Sequence, residues 1–249
     1  MSVLRAGATR GLLGLGILLG IVQIVGMTGI AGATWLSLAG VGGYLSDSNN
    51  SAHVLDALGV TARSALQGFV IGAVIAVVLG ALAVLLPMLR DAAGQFAAVM
   101  NALPIVAVAP LLIATAGAEV APVILAALAS GFAVFVAVTT GLTATSPAQR
   151  GVFAAFGGSR WQTLARLNGP SALPSLADGF TVAAPAAMLG AIFGEWFGAP
   201  RGIGVMLVNQ MQSFQMDALW ATSFVAAALS LALYLMFAAV RQLTIRRMT

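Results

Sequence analysis

From Arg63 to Arg90 the chain reads SALQGFVIGAVIAVVLGALAVLLPML without one charged residue, and further apolar blocks follow along most of its length. About 20 helical residues cover the ~30 Å of hydrocarbon in a bilayer. Inside that slab every backbone polar group must be satisfied within the protein, which leaves helices and closed barrels. The blocks are long and continuous rather than alternating with period 2, so a membrane β-barrel does not fit. The expected fold class is all-α, an integral membrane bundle. Composition agrees, because 7% of residues are charged and mean hydropathy is +1.02, whereas a soluble domain carries about 25% charged residues.

The apolar blocks fall at roughly 11–36, 60–88, 95–116, 120–142, 172–198 and 218–240. Six crossings place both termini on one side. Arg5, Arg10, Arg90, Arg150, Arg160, Arg166, Arg241, Arg246 and Arg247 fall on that side, and Arg63 and Arg201 near the other. By the positive-inside rule the termini and the polar island Ser146–Pro174 are expected to be cytoplasmic. Ser46–Asp56 and the loop from Gly198 to Asp217 are expected outside. Arg5 and Arg10 before an apolar run resemble a signal peptide, but the run is long enough to span and no clean small-x-small site follows it. It reads as a first transmembrane helix that also serves as the targeting signal. The organisation is then 1–45 with the first helix, 46–58 as an external polar segment, 59–241 as a five-helix core and 242–249 as a cytoplasmic tail.

Absences narrow the chemistry. The chain has no cysteine, which excludes disulfides, thiol catalysis and cysteine metal sites. All eleven basic residues are arginines, so the lysine of a standard P-loop is missing and any ATP chemistry must come from a partner. His53 has no histidine or carboxylate at ligand spacing, so no metal site is expected. The ten methionines are scattered through the helices and read as packing. No nucleophile–base pair or carboxylate dyad marks an enzyme. The net charge of +4 reads as cytoplasmic flanks rather than nucleic-acid binding. The pair Arg246–Arg247 reads as a contact to anionic lipid.

Within the blocks, Gly68, Gly72 and Gly80 share a helical face and are expected to let a neighbouring backbone approach closely. The island is punctuated differently. Ser146-Pro147-Ala148-Gln149 supplies an N-cap, a proline at the first helical position and a capping-box glutamine. Gly157-Gly158 can close that helix in a left-handed turn. Ser159-Arg160-Trp161-Gln162 repeats the capping box and opens a second short helix, which Gly169-Pro170 is expected to stop. Two capped helices between membrane-grade blocks predict a surface built for contact.

Gly157, nine intervening residues and then Leu167-Asn168-Gly169-Pro170 resemble the EAA signature of bacterial ABC importer permeases. The stretch GGSRWQTLARLNGPSALPSLADG resembles its form in nitrate-, sulfonate- and taurine-type permeases. Asn101–Pro110 (NALPIVAVAP) is similar to that group's paired-proline segment. Gly194-Glu195-Trp196 with Arg201-Gly202-Ile203-Gly204 is similar to its external segment after the fifth helix. The resemblance covers roughly residues 60–240. One departure is plain: the signature's Glu-Ala-Ala falls on Gly151-Val152-Phe153, so its acidic residue is missing.

The resemblance implies a type I importer permease with six transmembrane helices. It implies a cytoplasmic coupling loop, 146–174, that docks on an ATPase, with Arg150, Phe153, Phe156, Gly157, Ser159, Arg160, Trp161, Leu167 and Pro170 carrying the contact. Phe156 and Trp161 are open to two readings, as docking anchors or as side chains packed back on the permease. A second permease copy, two ATPase subunits and an external binding protein are the implied partners, in a bacterial inner membrane. No cofactor is expected on this chain; ATP and magnesium belong to the ATPase. The implied cargo is a small organic or anionic solute, from sulfonates and nitrate to pyrimidine or vitamin precursors, moved by alternating access. A secondary transporter or channel working without an ATPase, and a non-transporting membrane scaffold, are the competing functions.

Polar groups inside apolar blocks are candidates for the translocation path, because lipid burial is costly. Gln67, Asn101, Glu195, Asn209 and Gln210 qualify, with Glu119 near the outer boundary. Each is also open to a purely structural role across helices. Glu195 can pair with Arg201 as a gate or as a surface ion pair. Asp178 is expected to be solvated or paired with Arg166 or Arg160.

Overall fold

Each apolar block becomes helix because a helix alone satisfies the backbone of such a run in lipid. The computed structural model describes residues 2–30, 32, 34–102 and 104–246. In chain order the helices are α1 (Ser2–Thr28), α2 (Leu38–Ser46), α3 (Ser48–Leu85), α4 (Arg90–Ala102), α5 (Ile105–Ala116) and α6 (Ala121–Thr143). They continue with α7 (Pro147–Ala155), α8 (Arg160–Thr163), α9 (Gly169–Glu195), α10 (Ile203–Gln212) and α11 (Met216–Arg246). Among the described residues there are no strands.

Small residues decide how closely the central helices meet. A Cβ on Gly72 would lie 2.3 Å from the Ala127 carbonyl oxygen, one on Gly68 2.4 Å from the Ala126 methyl, and one on Gly80 2.5 Å from Val138. The shared glycine face expected on α3 is therefore its seam against α6. The opposite face of α3 carries exposed Leu66, Val70, Val74 and Val78. Large side chains face outward and small ones inward, the pattern of a helix solvated by lipid.

The register of these contacts fixes direction. Gly68, Gly72 and Gly80 meet progressively later residues of α6, so α3 and α6 run parallel. On α9, Gly179 meets Ala137, Gly190 meets Leu125 and Ala126, and Gly194 meets Pro122, so α9 is antiparallel to α6. Phe180 meets Phe237 and Asp178 pairs with Arg241, so α11 is antiparallel to α9. One end of the bundle thus gathers Leu85, the segment 144–168 and the end of α11; we call it the loop end. The far end gathers Ser48, Ala121, Glu195 and Met216.

Six crossings were expected, and by length and composition four or five stand out among the described residues. Among the described residues four helices are long and apolar enough to cross: Ser48–Leu85, Ala121–Thr143, Arg160–Glu195 and Met216–Thr244. Gly94–Met100 and Ile105–Ala116 make a fifth if the pair, bent by 87°, is one span. Pro104 heads α5 and lacks the N–H needed to continue α4, which is why the block at 95–116 is broken. The apolar stretch of α1, Leu13–Thr28, is shorter than the other spans. In the polar segment 46–58, Ser46 ends α2 and the residues from Ser48 on form the first turns of α3, capped by Asp47, whose carboxyl accepts from the Asn49 and Asn50 amides.

Candidate functional site

The loop end is built by local sequence. Ser146 Oγ accepts from the Gln149 amide at 3.2 Å and Gln149 Oε1 accepts from the Ser146 amide at 2.9 Å. Ser159 and Gln162 repeat the box at 3.2 and 2.8 Å. Between the two short helices Gly157 takes φ +76. The Gly158 amide returns to the Phe153 carbonyl at 3.0 Å, closing α7 in a left-handed cap. A Cβ on Gly158 would sit 2.6 Å from the Phe153 ring, so Phe153 folds under the turn.

What the turn presents is apolar. Phe156 is 88% exposed, Trp161 68% and Val152 58%. Of the two readings left open by sequence, packing back onto the bundle is not the arrangement seen. Arg160 and Pro170 are exposed beside them, and Leu167 is half-buried.

Arg150 points the other way. Its Nη1 donates to the carbonyl and to Oγ1 of Thr145. Thr145 Oγ1 in turn donates to Asn168 Oδ1 at 3.0 Å. Both Thr145 and Asn168 are buried, so a polar relay ties the start of α7 to the foot of α9. Sequence reasoning missed Thr145, and met Asn168 only as a member of the signature Leu167–Pro170, without its bond to Thr145. Nothing local marks the pairing, because the contact joins residues 23 apart.

Gly169-Pro170 was expected to stop the second helix and does not. Residues Leu164–Asn168 form a π turn, with the Gly169 amide bonded to the Leu164 carbonyl, and the helix runs on into α9. The wider turn re-phases the backbone just where Pro170 brings no N–H. Asp178 pairs with Arg241 rather than with Arg166 or Arg160.

The far end centres on Glu195, 1% exposed at the end of α9. Its Oε2 accepts from Thr61 Oγ1 at 2.9 Å and from the Gly204 amide at 2.8 Å. The Ile203 amide donates to Thr61 Oγ1 at 2.8 Å. The two residues together cap the first amides of α10, where Gly202 brings no side chain. A Cβ on Gly202 would lie within 2.3–2.4 Å of the Glu195 carboxyl atoms, and Gly202 has φ +127. This clamp joins α3, α9 and α10. It replaces the expected Glu195–Arg201 pair: the one ion pair among the described residues is Arg241–Asp178. The segment Gly198–Asp217, read as a loop, contains α10 because its cap comes from distant residues.

The other path candidates disperse. Gln67 is exposed on α3. The side chain of Asn101 lies outside the described residues, as do those of Arg5, Arg10 and the Arg246–Arg247 pair. Glu119 is exposed before α6. Asn209 and Gln210 line a cleft of about 530 Å³ at the far end, shared with Tyr44, His53, Asp56 and Arg201. Gln210 is buried and donates from Nε2 to Thr222 at 3.0 Å. Among the described residues no cluster of histidines and carboxylates could hold a metal ion.

The family described as binding-protein-dependent transport system inner membrane component matches residues 68–249. A probable ABC transporter permease protein of Haemophilus influenzae is 32% identical over 174 residues, 68% of this chain and 68% of its own. The formylaminopyrimidine transport permease protein ThiX of Halalkalibacterium halodurans is 32% identical over 142 residues, 57% of this chain and 56% of its own. Among solved structures, an inward-facing form of the MetNI methionine ABC transporter aligns with TM-score 0.68 at 14% identity, covering 80% of this chain and 99% of that one. That likeness is one of fold.

Proposed function

The chain belongs to the family of binding-protein-dependent transport inner membrane components, and we propose that its loop end is the surface through which an ATPase drives it. It is a permease subunit of an ABC importer. The carrying observation is the pair of capped helices that hold Val152, Phe156 and Trp161 exposed at the end where Arg150, Arg160, Arg166 and Arg241 collect. Exposed aromatic side chains on a rigid turn suit a buried protein contact. Mg-ATP would bind the partner, since this chain has no lysine for a phosphate loop. With Gly at position 151, the contact relies on shape and apolar area rather than on the family's acidic residue.

In this reading the loop end is cytoplasmic, by the positive-inside rule, and the far end meets an external binding protein. Thr28 of α1 lies toward the far end, because Gly26 packs on Ser37 and Trp220 bonds the Thr34 carbonyl there. An α1 that crosses therefore brings both termini to the cytoplasmic side of a bacterial inner membrane. A single chain offers one coupling element, so two copies with two ATPases form the working unit. The cargo is a small organic solute, with a pyrimidine or vitamin precursor favoured over sulfonate or nitrate by the likeness to a formylaminopyrimidine permease.

The test is copurification and transport. Phe156→Asp and Trp161→Asp should leave the chain in the membrane fraction but lose the ATPase subunit and ATP-dependent uptake. Uptake in liposomes without ATPase or ATP overturns the proposal in favour of a secondary transporter or channel. Retained ATPase binding in both variants overturns the assignment of the docking surface.

A further inference from the structure

We propose that Phe214, in the turn between α10 and α11, is the anchor on which the external binding protein docks, and that the partner meets it with an apolar hollow rimmed by basic side chains. This rests on the transport reading above and assigns the contact which that reading leaves open at the far end.

Backbone geometry singles the residue out. The Gln215 amide returns to the Gln210 carbonyl at 2.9 Å and the Phe214 amide to the Met211 carbonyl at 3.2 Å, so α10 closes in a left-handed cap. Phe214 takes the left-handed position at φ +53, and among the described residues no other non-glycine has positive φ. Glycine adopts that conformation without strain, whereas a Cβ makes it costly. Packing does not offset the cost, because Phe214 is 82% exposed. A ring held out at a position that suits glycine points to a contact outside the chain.

The surroundings select the occupant. Met211, Gln212, Ser213 and Gln215 are exposed with Phe214, and so is Asp217. One aromatic side chain within a polar surround is the pattern of a protein hot spot, where the rim keeps water off the anchor. Lipid fits less well. Ser213 and Gln215 line the far-end cleft with His53, Asp56 and Arg201, so the turn stands at a polar mouth rather than on an apolar flank. Asp217, three residues on, disfavours anionic headgroups. A second copy of this face fits no better. Asp47, Asp56, Glu119 and Asp217 are exposed at this end against Arg63 and Arg201, and a two-fold contact would set that acidic surplus against itself. A soluble partner with lysine or arginine around an apolar hollow answers both the ring and the charge.

The test begins in intact cells with the full-length chain carrying the photoreactive substitution Phe214→p-benzoylphenylalanine. Irradiation should join it to a soluble exported protein, whereas Leu66→p-benzoylphenylalanine, on the outward face of α3, should not. That protein, once purified, is titrated against the permease–ATPase complex in detergent. Phe214→Gly should weaken its binding at least tenfold and yet raise the thermal midpoint of the permease by about 2–4 °C, because the strain leaves with the ring. A residue with a purely structural role would not lose affinity while gaining stability. Phe214→Asn, also tolerant of the left-handed region, should behave in the same way, and Phe214→Tyr should bind within about twofold of the parent. Binding by the parent should weaken as salt rises, and Asp217→Asn should reduce that dependence. Cross-linking to lipid, to a second copy or to nothing overturns the anchor, as does undiminished binding by both Phe214→Gly and Phe214→Asn. An ATPase that copurifies with the chain while position 214 joins no exported protein removes the anchor and keeps the transport reading. A cross-linked partner without any copurifying ATPase does the reverse.

Discussion

Glu195 shows how a single residue can be found by sequence and still be misassigned. A carboxyl inside an apolar block is conspicuous, and the nearest opposite charge in sequence is Arg201. The structure instead pairs it with Thr61, 134 residues away, and with the Gly204 amide. Charge matching is a local guess, whereas a buried carboxyl needs whichever donors its fold brings within reach. Thr61 was illegible because an isolated threonine in a helix normally bonds its own backbone, as it also does here to Ala57. The arrangement predicts a graded series. Glu195→Gln keeps an acceptor for both donors and should cost little. Glu195→Ala strands the Gly204 amide and should lower stability by about 1–3 kcal/mol, read as a fall in the thermal midpoint of the solubilised protein. Gly202→Ala places a methyl group against the carboxyl and should destabilise as well. In the double variant the clash disappears, so its loss should be smaller than the sum of the two single losses. Strict additivity would show that Gly202 and Glu195 do not touch.

Among the elements, those with local punctuation were legible and those completed from a distance were not. Both capping boxes at 146–149 and 159–162 form as read, because Ser and Gln three residues apart satisfy each other's amides. The α3 seam was legible too, since glycines at four- and eight-residue spacing share a helix face whatever they meet. The helix α10 has no cap of its own at Gly202, and the helix that opens at Arg160 runs through a glycine-proline pair that ordinarily ends one. The turn at 157–158 now separates shape from charge. A Cβ on Gly157 meets nothing within 4 Å, so a substitution there bears only the left-handed backbone cost, about 1–2 kcal/mol. Gly157→Ala should therefore keep most substrate-stimulated ATPase activity, whereas Gly157→Asp adds a charge beside exposed Phe156 and should lose both that activity and uptake while the permease still assembles. Equal activity in the two variants, or unchanged uptake in the aspartate variant, would remove the apolar docking surface. The relay below the turn makes a second demand. Asn168→Ala deprives Thr145 of its acceptor and frees the start of α7, so uptake should fall while ATPase copurification persists.

At the scale of the whole molecule, the apolar blocks gave the fold class and the arginines gave a polarity, but the number of crossings depends on how 86–120 is threaded. Two parallel helices cannot follow one another without a return. Because α3 and α6 run parallel, the chain between Leu85 and Ala121 must travel from the loop end back to the far end. The bent pair α4–α5 is then a broken span and not a re-entrant loop, although sequence alone reads the same residues as one straight helix through Pro104. The absence of native cysteine lets each end be sampled by one introduced thiol. Met88 and Ser159 are exposed at the loop end, and Ala116 and Ser213 are exposed at the far end. In intact cells a membrane-impermeant maleimide should label Ala116→Cys and Ser213→Cys, and should reach Met88→Cys and Ser159→Cys only after the membrane is opened. Labelling of Met88→Cys and Ala116→Cys from the same side would mean that α4–α5 dips and returns, which the parallel seam of glycines between α3 and α6 does not allow. Labelling of Ser159→Cys from outside would instead invert the bundle, placing the exposed aromatic turn where no cytoplasmic ATPase can reach it.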